Sequence, residues 1–251
     1  MRVLVAAGLD PTGGAGLAAD LEALLAVGAR SLPVATALTV QGPAGAFTYE
    51  PVPHRFLVAQ VRGLFRGRGP RPAAVKTGML GSGANASALA RLLAEGPLSG
   101  TTLVVDPVLA ASSGLRLLHD ERGRRPGAVL RPLLALATVV TPNWPELAEL
   151  SGAEPGSLRS DDDAVEAARS LPSAAVLVKG GHRRGDPVDL LVRGREVRRY
   201  EGRRRPGTAR GTGCRLASAL AGLLAQGATL EEAVRGAKRV VERYLDAERR
   251  R

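Results

Sequence analysis

At 251 residues, with 45% hydrophobic but only 3% aromatic residues, the chain is long enough for one α/β domain whose core is largely aliphatic. Its net charge of +11 comes from arginines spread along the chain, with denser runs at 183–184, 203–205 and 249–251, and no aromatic residues interleave with them, which argues against nucleic-acid binding. A single cysteine, no apolar leader and no apolar run of membrane-spanning length predict a cytoplasmic protein without an internal disulfide or a membrane partner.

The N-terminal residues predict a βαβ unit. Residues 3–6 are a short apolar run followed by turn residues, as expected of a strand buried on both faces. Apolar residues then recur with helical spacing from Leu17 to Leu25, and a second strand-like run occupies residues 34–40.

The rest of the chain continues this alternation. Strand-like and helical patterns follow one another at 56–64 (helix), 73–76 (strand), 89–93 (helix), 103–105 (strand), near Val139 and Val176 (strands), and at 190–197 (hairpin). Two helices come last, and the second begins with the capping-box pair Thr229 and Glu232. The alternation predicts a mostly parallel sheet with helices on both faces, in one domain over residues 1–251.

A glycine-rich loop at 8–16 separates the first strand from the first helix. Ligands of open α/β sheets bind beyond the carboxyl ends of the strands, and glycines and a helix N-terminus allow close approach of an anion. The alternative is a tight turn in which Asp10 caps its own loop.

A second glycine motif, Gly211, Thr212, Gly213 and Cys214, precedes a helical pattern that starts at Leu216. Small residues at a helix start leave N–H groups free to form an anion hole for a transferring phosphoryl group. The helix N-terminus favours a thiolate, so Cys214 could take the proton of an alcohol substrate. The alternative is a small, buried and unreactive cysteine.

An amide and a carboxylate follow the strand near Val139. Asn143 and Glu146 could help to hold a hydrated Mg²⁺ between phosphates, and Asp106, also after a strand, could add a second carboxylate. The alternative for Asn143 and Glu146 is an ordinary helix start with Pro145 in its first turn.

Lys179 begins a Lys-Gly-Gly-His motif at 179–182, again at a strand end. A cation there could neutralise phosphate charge during transfer, or it could be a solvated surface charge. Lysine occurs only at 76, 179 and 238, so each one warrants attention. Because all four motifs follow predicted strands, we expect them to meet in one crevice that transfers a phosphoryl group from magnesium nucleotide to an alcohol.

In this order, and along nearly the whole chain, the motifs resemble those of the hydroxymethylpyrimidine/phosphomethylpyrimidine kinases in the ribokinase-like superfamily. The matching segments are Gly8, Asp10, 13–16, Asp20, 36–41, 76–79, 106–108, 141–143, Glu146, 179–182 and 211–214. Cys214 favours the pyrimidine kinases, because most sugar kinases of the superfamily carry aspartate there. The resemblance implies a ribokinase-like three-layer α/β sandwich.

The resemblance also implies how an acceptor is bound. Gln41 would hydrogen-bond an aminopyrimidine, and Asp10, Gly13, Met79 and Val108 would line its pocket. The expected acceptor is hydroxymethylpyrimidine, its monophosphate, or both, as in thiamin biosynthesis.

Around the donor, the resemblance implies MgATP. Cys214 would be the base and residues 211–213 the anion hole, while Lys179 and Thr212 contact the nucleotide and Val240 borders its adenine. Asp106, Asn143 and Glu146 would organise the Mg²⁺. The family often forms homodimers, so a homodimer and a monomer are both open.

Several residues depart from the family pattern. The departures are Leu9 for serine, Gly42 and Pro43 for Asn-Thr, Ser112 for lysine, Gly207 for asparagine, Arg210 for histidine and Arg215 for threonine. Arg210 and Arg215 could bind an acceptor that already carries a phosphate, or they could mark a changed acceptor such as pyridoxal, or they could simply point to solvent. A regulator that binds a pyrimidine without turnover is a further alternative, although Lys179, Glu146 and Cys214 are retained.

Overall fold

The structure, a computed structural model, describes residues 1–42, 44–67, 71–182, 185–205 and 209–250. The arginine run at 183–184 and the departures Pro43 and Gly207 lie outside the described residues. The strands are β1 Arg2–Leu9, β2 Arg30–Gly42, β3 Gly45–Pro51, β4 Ala74–Thr77, β5 Gly81–Ser82, β6 Thr102–Val105, β7 Leu118–His119, β8 Val139–Val140, β9 Val176–Val178, β10 Val188–Arg193 and β11 Glu196–Glu201. The α-helices are α1 Gly16–Ala26, α2 His54–Leu64, α3 Gly83–Ala94, α4 Pro126–Leu134, α5 Trp144–Ser151, α6 Asp161–Arg169, α7 Thr212–Ala225 and α8 Leu230–Glu248.

Nine strands form one sheet in the order β11-β10-β9-β8-β6-β4-β1-β2-β3. The six strands from β9 to β2 in this order are parallel, while β3 and the β10–β11 hairpin add antiparallel strands at the two edges. The expected mostly parallel sheet and the hairpin are therefore confirmed. Strands β5 and β7 pair separately.

Side chains of the central strand alternate between two apolar layers. In β1, Val3 and Val5 pack in the layer that contains α1, α7 and α8, whereas Leu4 and Ala6 pack in the layer that contains α2 to α6. All four of these side chains are fully buried, as expected of a parallel strand covered on both faces. The molecule is thus the expected three-layer α/β sandwich.

Local sequence accounts for the start of α8 and fails to predict some other features. Thr229 and Glu232 form the predicted capping box at the N-terminus of α8. Phe56, the first apolar residue of the helical pattern at 56–64, is 60% exposed. The edge strand β3 and the helices α4 and α6 carry no element assignment from the sequence patterns. Among the described residues, no helix is both long and apolar enough to span a membrane.

Candidate active site

The predicted motifs meet at the carboxyl edge of the sheet. Because β1, β4, β6, β8 and β9 run parallel, the residues that follow them share one edge. Lys179, directly after β9, donates its backbone N–H to the carbonyl of Pro142 at 2.8 Å, so the ends of β8 and β9 are held together. This pairing places Lys179 beside Asn143.

A cluster of charges occupies the middle of this edge. The ammonium group of Lys179 lies 2.7 Å from Oδ1 of Asp106 and 3.7 Å from Oε2 of Glu146. Thr141 also donates to Asp106 Oδ1, at 3.2 Å. Asp106 and Glu146 are buried and Lys179 is 13% exposed, so Lys179 is part of a partly desolvated cluster and not a solvated surface charge.

Burial and mutual attraction separate the pKa values of this cluster. Burial, assisted by Asp106 and opposed by Lys179, raises the pKa of Glu146 to about 7. Burial also favours neutral Asp106, but the ammonium groups of Lys179 and Lys76 outweigh it and hold the pKa of Asp106 below its usual value. The pKa of Lys179 is raised because Asp106 and Glu146 outweigh its burial. Asp106 and Lys179 are therefore both charged at neutral pH.

Asn143 and Glu146 also begin α5. Asn143 Oδ1 accepts from the Glu146 N–H at 2.9 Å, and Glu146 Oε2 accepts from the Asn143 N–H at 2.7 Å. These bonds form a capping box, so the simpler alternative, an ordinary helix start, is correct. The capping role does not exclude a role of Glu146 in holding Mg²⁺, because the same Oε2 that caps the helix also lies 3.7 Å from the Lys179 ammonium. Asn143 has a single side-chain oxygen, which accepts the backbone hydrogen bond, whereas Glu146 has Oε1 in addition to the capping Oε2.

The second glycine motif forms the N-terminus of α7. Gly211, the residue before the helix, has φ +71° and supplies no side-chain cap. Near Gly213 the helix start is so close to the charged cluster that a Cβ there would lie 3.2 Å from the Lys179 ammonium. Uncapped N–H groups and a lysine therefore face the same small region, which is suited to a phosphoryl group.

The Gly211→Ala variant should be less stable and much less active than the parent. The left-handed backbone alone costs about 1–2 kcal/mol for alanine, and a Cβ at Gly211 would also clash with the Gly14 carbonyl. Gly227→Ala is the matched control, because Gly227 has φ +90° but no atom within 4 Å of its added Cβ. Urea unfolding and kinetics should show a larger loss of stability and of activity in Gly211→Ala than in Gly227→Ala. Equal losses in the two variants would show that the contact between Gly211 and the Gly14 carbonyl is not the cause.

Cys214 lies in the first turn of α7 and is partly exposed. Burial of the sulfur raises the pKa of its thiol to about 11, although the Lys76 ammonium and the Gly16 N–H favour the thiolate. The position of Cys214 at the helix N-terminus is therefore not enough to hold it as a thiolate in the protein without ligands, and its role as a base stays a prediction. Cys214 is protonated at neutral pH in this state.

A buried ion pair beneath Cys214 was not assigned a role from the sequence. Lys76 in β4 and Asp20 in α1 are both fully buried, with 2.7 Å between Nζ and Oδ1. Ser218, one turn after Cys214 on α7, donates to the same Asp20 oxygen at 2.7 Å. The sequence signal for this pair is Lys76 itself, one of three lysines in the chain, which ends the otherwise apolar run at 73–76. Together with Ser218, the pair links α1, β4 and α7 next to the first turns of α7.

Asp10 organises the loop after β1. Its Oδ1 accepts from the backbone and the hydroxyl of Thr12, at 2.9 and 2.8 Å, and its Oδ2 accepts from the Ala15 N–H at 3.1 Å. The local-turn alternative for Asp10 is therefore correct. Gly13 in the same loop has φ +75°, which favours glycine.

The apolar wall beside this loop contains Met79 and Val108. Met79 is buried and packs so closely on Gly8 that a Cβ there would lie 2.9 Å from its sulfur. Val108 packs against the small cluster of Ala37, Met79 and Leu117. Met79 and Val108 thus lie together, while Gln41 lies at the end of β2 and donates to Thr39 Oγ1 at 2.8 Å.

Arg210 reaches across this region instead of pointing to solvent. Its guanidinium donates to Gln41 Oε1, to Asp10 Oδ2 at 3.3 Å and to Thr12 Oγ1 at 3.4 Å. Arg210 therefore joins the residues that the sequence predicted to bind an acceptor.

Arg215 has a different environment and is only 4% exposed. Its guanidinium donates to the Gly14 and Arg210 carbonyls at 3.0 and 3.3 Å, pairs with Glu22 at 2.5 Å, and lies 3.7 Å from the centre of the Tyr244 ring. These contacts tie the first glycine loop to the second. The solvent-facing alternative for Arg215 is therefore wrong, while a contribution of its charge to an acceptor that carries a phosphate stays a prediction.

Val240 lies on α8 and is buried in the apolar layer with α7. It therefore packs in the core, and its predicted contact with adenine stays a prediction.

Comparison with known proteins agrees with this geometry. The family model described as phosphomethylpyrimidine kinase matches residues 10–250. The hydroxymethylpyrimidine/phosphomethylpyrimidine kinase of Streptomyces coelicolor is 39% identical, over 98% of this chain and 88% of that protein.

Solved structures give the same result. The phosphomethylpyrimidine kinase of Clostridium difficile 630 aligns with a TM-score of 0.80 and 31% identity, over 98% of this chain and 99% of that one. The pyridoxal kinase of Staphylococcus aureus, in complex with AMP-PCP and pyridoxal, aligns with a TM-score of 0.80 and 28% identity, over 96% and 86% of the two chains. Both the sequence motifs and these matches extend along nearly the whole chain, and we conclude that it belongs to the phosphomethylpyrimidine kinase family and is a small-molecule kinase with a ribokinase-like fold.

Proposed function

We propose that the protein transfers the γ-phosphoryl group of ATP to hydroxymethylpyrimidine, to its monophosphate or to both, as in thiamin biosynthesis. The observation that carries the proposal is the approach of the α7 N-terminus to the Lys179–Asp106 pair, with Cys214 in the first turn of the same helix. Donors and a cation then surround the transferring phosphoryl group, and a proton acceptor lies beside the attacking oxygen.

The donor side uses the charged cluster. Lys179 contacts the nucleotide phosphates, and the N–H groups of residues 211–213 stabilise charge on the transferring group. No group of three metal-ligating His, Cys, Asp or Glu side chains occurs among the described residues. Mg²⁺ bound through nucleotide phosphates needs only one or two carboxylates. Asp106 and Glu146 each have two carboxylate oxygens and fit this requirement better than Asn143, whose single side-chain oxygen caps α5. When bound, Mg²⁺ would neutralise phosphate charge.

The acceptor side uses the loop after β1 and the end of β2. Gln41 recognises the aminopyrimidine, while Asp10, Gly13, Met79 and Val108 enclose it. For the alcohol acceptor, Cys214 takes the proton of the hydroxymethyl group as the new P–O bond forms. The Lys76 ammonium behind Cys214 favours the thiolate that this step requires.

ADP release with MgATP tests the proposal, using hydroxymethylpyrimidine, its monophosphate and pyridoxal as separate acceptors. We expect turnover of at least one pyrimidine, loss of turnover with EDTA, and at least about a hundredfold loss in Lys179→Met. Turnover of pyridoxal alone would contradict the acceptor assignment.

Pyridoxal is included because the chain is similar to a pyridoxal kinase over 96% of its length. Stabilisation of the protein by a pyrimidine, without turnover of any acceptor, would instead favour the regulator hypothesis.

A further inference from the structure

Arg210 is placed between the two halves of the candidate site. It directly precedes Gly211 at the start of the anion hole, and its side chain extends to Gln41 and Asp10 in the acceptor region. Its backbone carbonyl accepts from the Tyr244 hydroxyl at 3.0 Å and from Arg215 at 3.3 Å. The backbone is therefore held in place while the side chain, 36% exposed, can change partners.

The present partners of Arg210 leave its charge only partly compensated. Asp10 is its nearby carboxylate, but that group already accepts three hydrogen bonds from its own loop, and its contact with Arg210 is 3.3 Å long. A guanidinium has five donors in a planar fork, which matches a phosphate group better than these scattered acceptors.

The same contacts occupy Gln41. Its Oε1 accepts from Arg210, and its Nε2 donates to Thr39 Oγ1 at 2.8 Å. Arg210 therefore occupies one of the two acceptor positions of Gln41 Oε1, and a pyrimidine amino group that binds this oxygen must share it with the guanidinium until Arg210 moves to another partner. An acceptor that carries a phosphate provides Arg210 with a stronger partner, whereas the neutral alcohol does not.

We propose that Arg210 is a specificity-determining residue that favours a pyrimidine already carrying a phosphate over the corresponding alcohol. This proposal rests on the proposed function. The acceptor phosphate draws the guanidinium from Gln41, which frees the amide for the ring and compensates the negative charge that approaches the anion hole.

The reaction favoured in this way forms a diphosphate. An oxygen of the acceptor phosphate bonds to the γ-phosphorus of ATP, and the bond from that phosphorus to the β,γ-bridging oxygen breaks. ADP leaves with the electron pair. An ionised phosphate oxygen has no proton to lose, so charge compensation matters more than a base in this step.

The test is the ratio of kcat/KM for the monophosphate to kcat/KM for the alcohol, in the parent and in Arg210→Met, Arg210→Lys and Arg210→His. We expect Arg210→Met to lower this ratio by at least about tenfold and Arg210→Lys to lower it less. Arg193→Met is the matched control, because Arg193 forms exposed ion pairs with Glu196 and Glu231 on the sheet edge. An unchanged ratio in Arg210→Met overturns the proposal.

Binding without ATP separates this proposal from the proposed function. Calorimetry should show that Arg210→Met raises the Kd of the monophosphate at least about tenfold more than the Kd of the alcohol. If the parent turns over neither pyrimidine but shows this difference, the proposed function fails and the role of Arg210 stands. Equal changes in the two Kd values overturn the role of Arg210, whatever the turnover.

Discussion

In the Cys214→Ala variant, turnover of hydroxymethylpyrimidine should fall at least about a hundredfold, whereas turnover of the monophosphate should fall far less. The alcohol must give up a proton as it attacks, and Cys214 is the proposed acceptor of that proton. A phosphate oxygen is mostly ionised above the second pKa of phosphate, near about 6, so it needs no base. Comparison of the activity with the two acceptors therefore distinguishes an effect on proton removal from an effect on the other functions of the site.

The same assignment predicts a difference in pH dependence. Burial raises the pKa of Cys214 to about 11, and only the deprotonated form can take a proton. Above the pKa of Glu146, which is about 7, the deprotonated fraction of Cys214, and with it kcat/KM for the alcohol, should therefore rise about tenfold for each unit of pH between about 8 and 9. For the monophosphate, kcat/KM should level off above about pH 7, once the acceptor is ionised.

Steady-state kinetics of the parent, Cys214→Ala and Cys214→Ser with both acceptors measure these effects. Cys214→Ser keeps the size of the side chain but has a much weaker acid at this position, so it should resemble Cys214→Ala with the alcohol. Equal losses with both acceptors, or a flat pH profile for the alcohol, would show that Cys214 does not act as a base. Unfolding curves for each variant exclude a loss of fold as the cause.

The order of elements and the position of the site follow from local sequence patterns. The buried run at 3–6, the glycine loop after it and the Thr229–Glu232 cap are governed by interactions within a few residues, so their structure can be predicted without knowing the fold. Because parallel strands end at one edge, the four motifs could also be predicted to meet there.

The directions of long charged side chains could not be predicted in this way. Arg210 and Arg215 are five residues apart, yet one reaches Gln41 on β2 and the other is buried against Tyr244 on α8. Their partners lie far away in the sequence, so only the folded chain brings them together. The raised pKa of Cys214 could not be predicted locally either, because it depends on burial in the folded chain and on Asp20 and Asp106, which are remote in sequence.

Lys76→Met should be the most destabilising substitution of a charged residue near the site, with a loss of about 3–5 kcal/mol in the free energy of unfolding at neutral pH. The variant leaves Asp20 fully buried without its cation. Ser218 would still donate to Oδ1, but Oδ2 already has no hydrogen-bond partner among the described residues. Removal of one member of a buried pair costs more than the pair itself contributes.

The destabilisation should depend on pH in a defined direction. Burial already raises the pKa of Asp20 above its usual value of 3.8, and the loss of Lys76 raises it further. A carboxyl group whose pKa is higher in the folded than in the unfolded state binds its proton more tightly when folded. Folding stability is then lost as pH rises from the unfolded pKa through the folded pKa. The defect of Lys76→Met should therefore be larger at pH 7.5 than at pH 5.

Urea unfolding at these two pH values, for Lys76→Met and for Lys76→Met combined with Asp20→Asn, measures the effect. The second substitution removes the unpaired charge and should restore a large part of the lost stability. Arg116→Met is the control for an exposed pair, since Arg116 is 54% exposed where it meets Glu149, and its loss should cost no more than about 1 kcal/mol. If Asp20→Asn restores nothing, or the defect does not grow with pH, the buried charge of Asp20 is not the cause. The defect would then come from the packing of the lysine stem in β4.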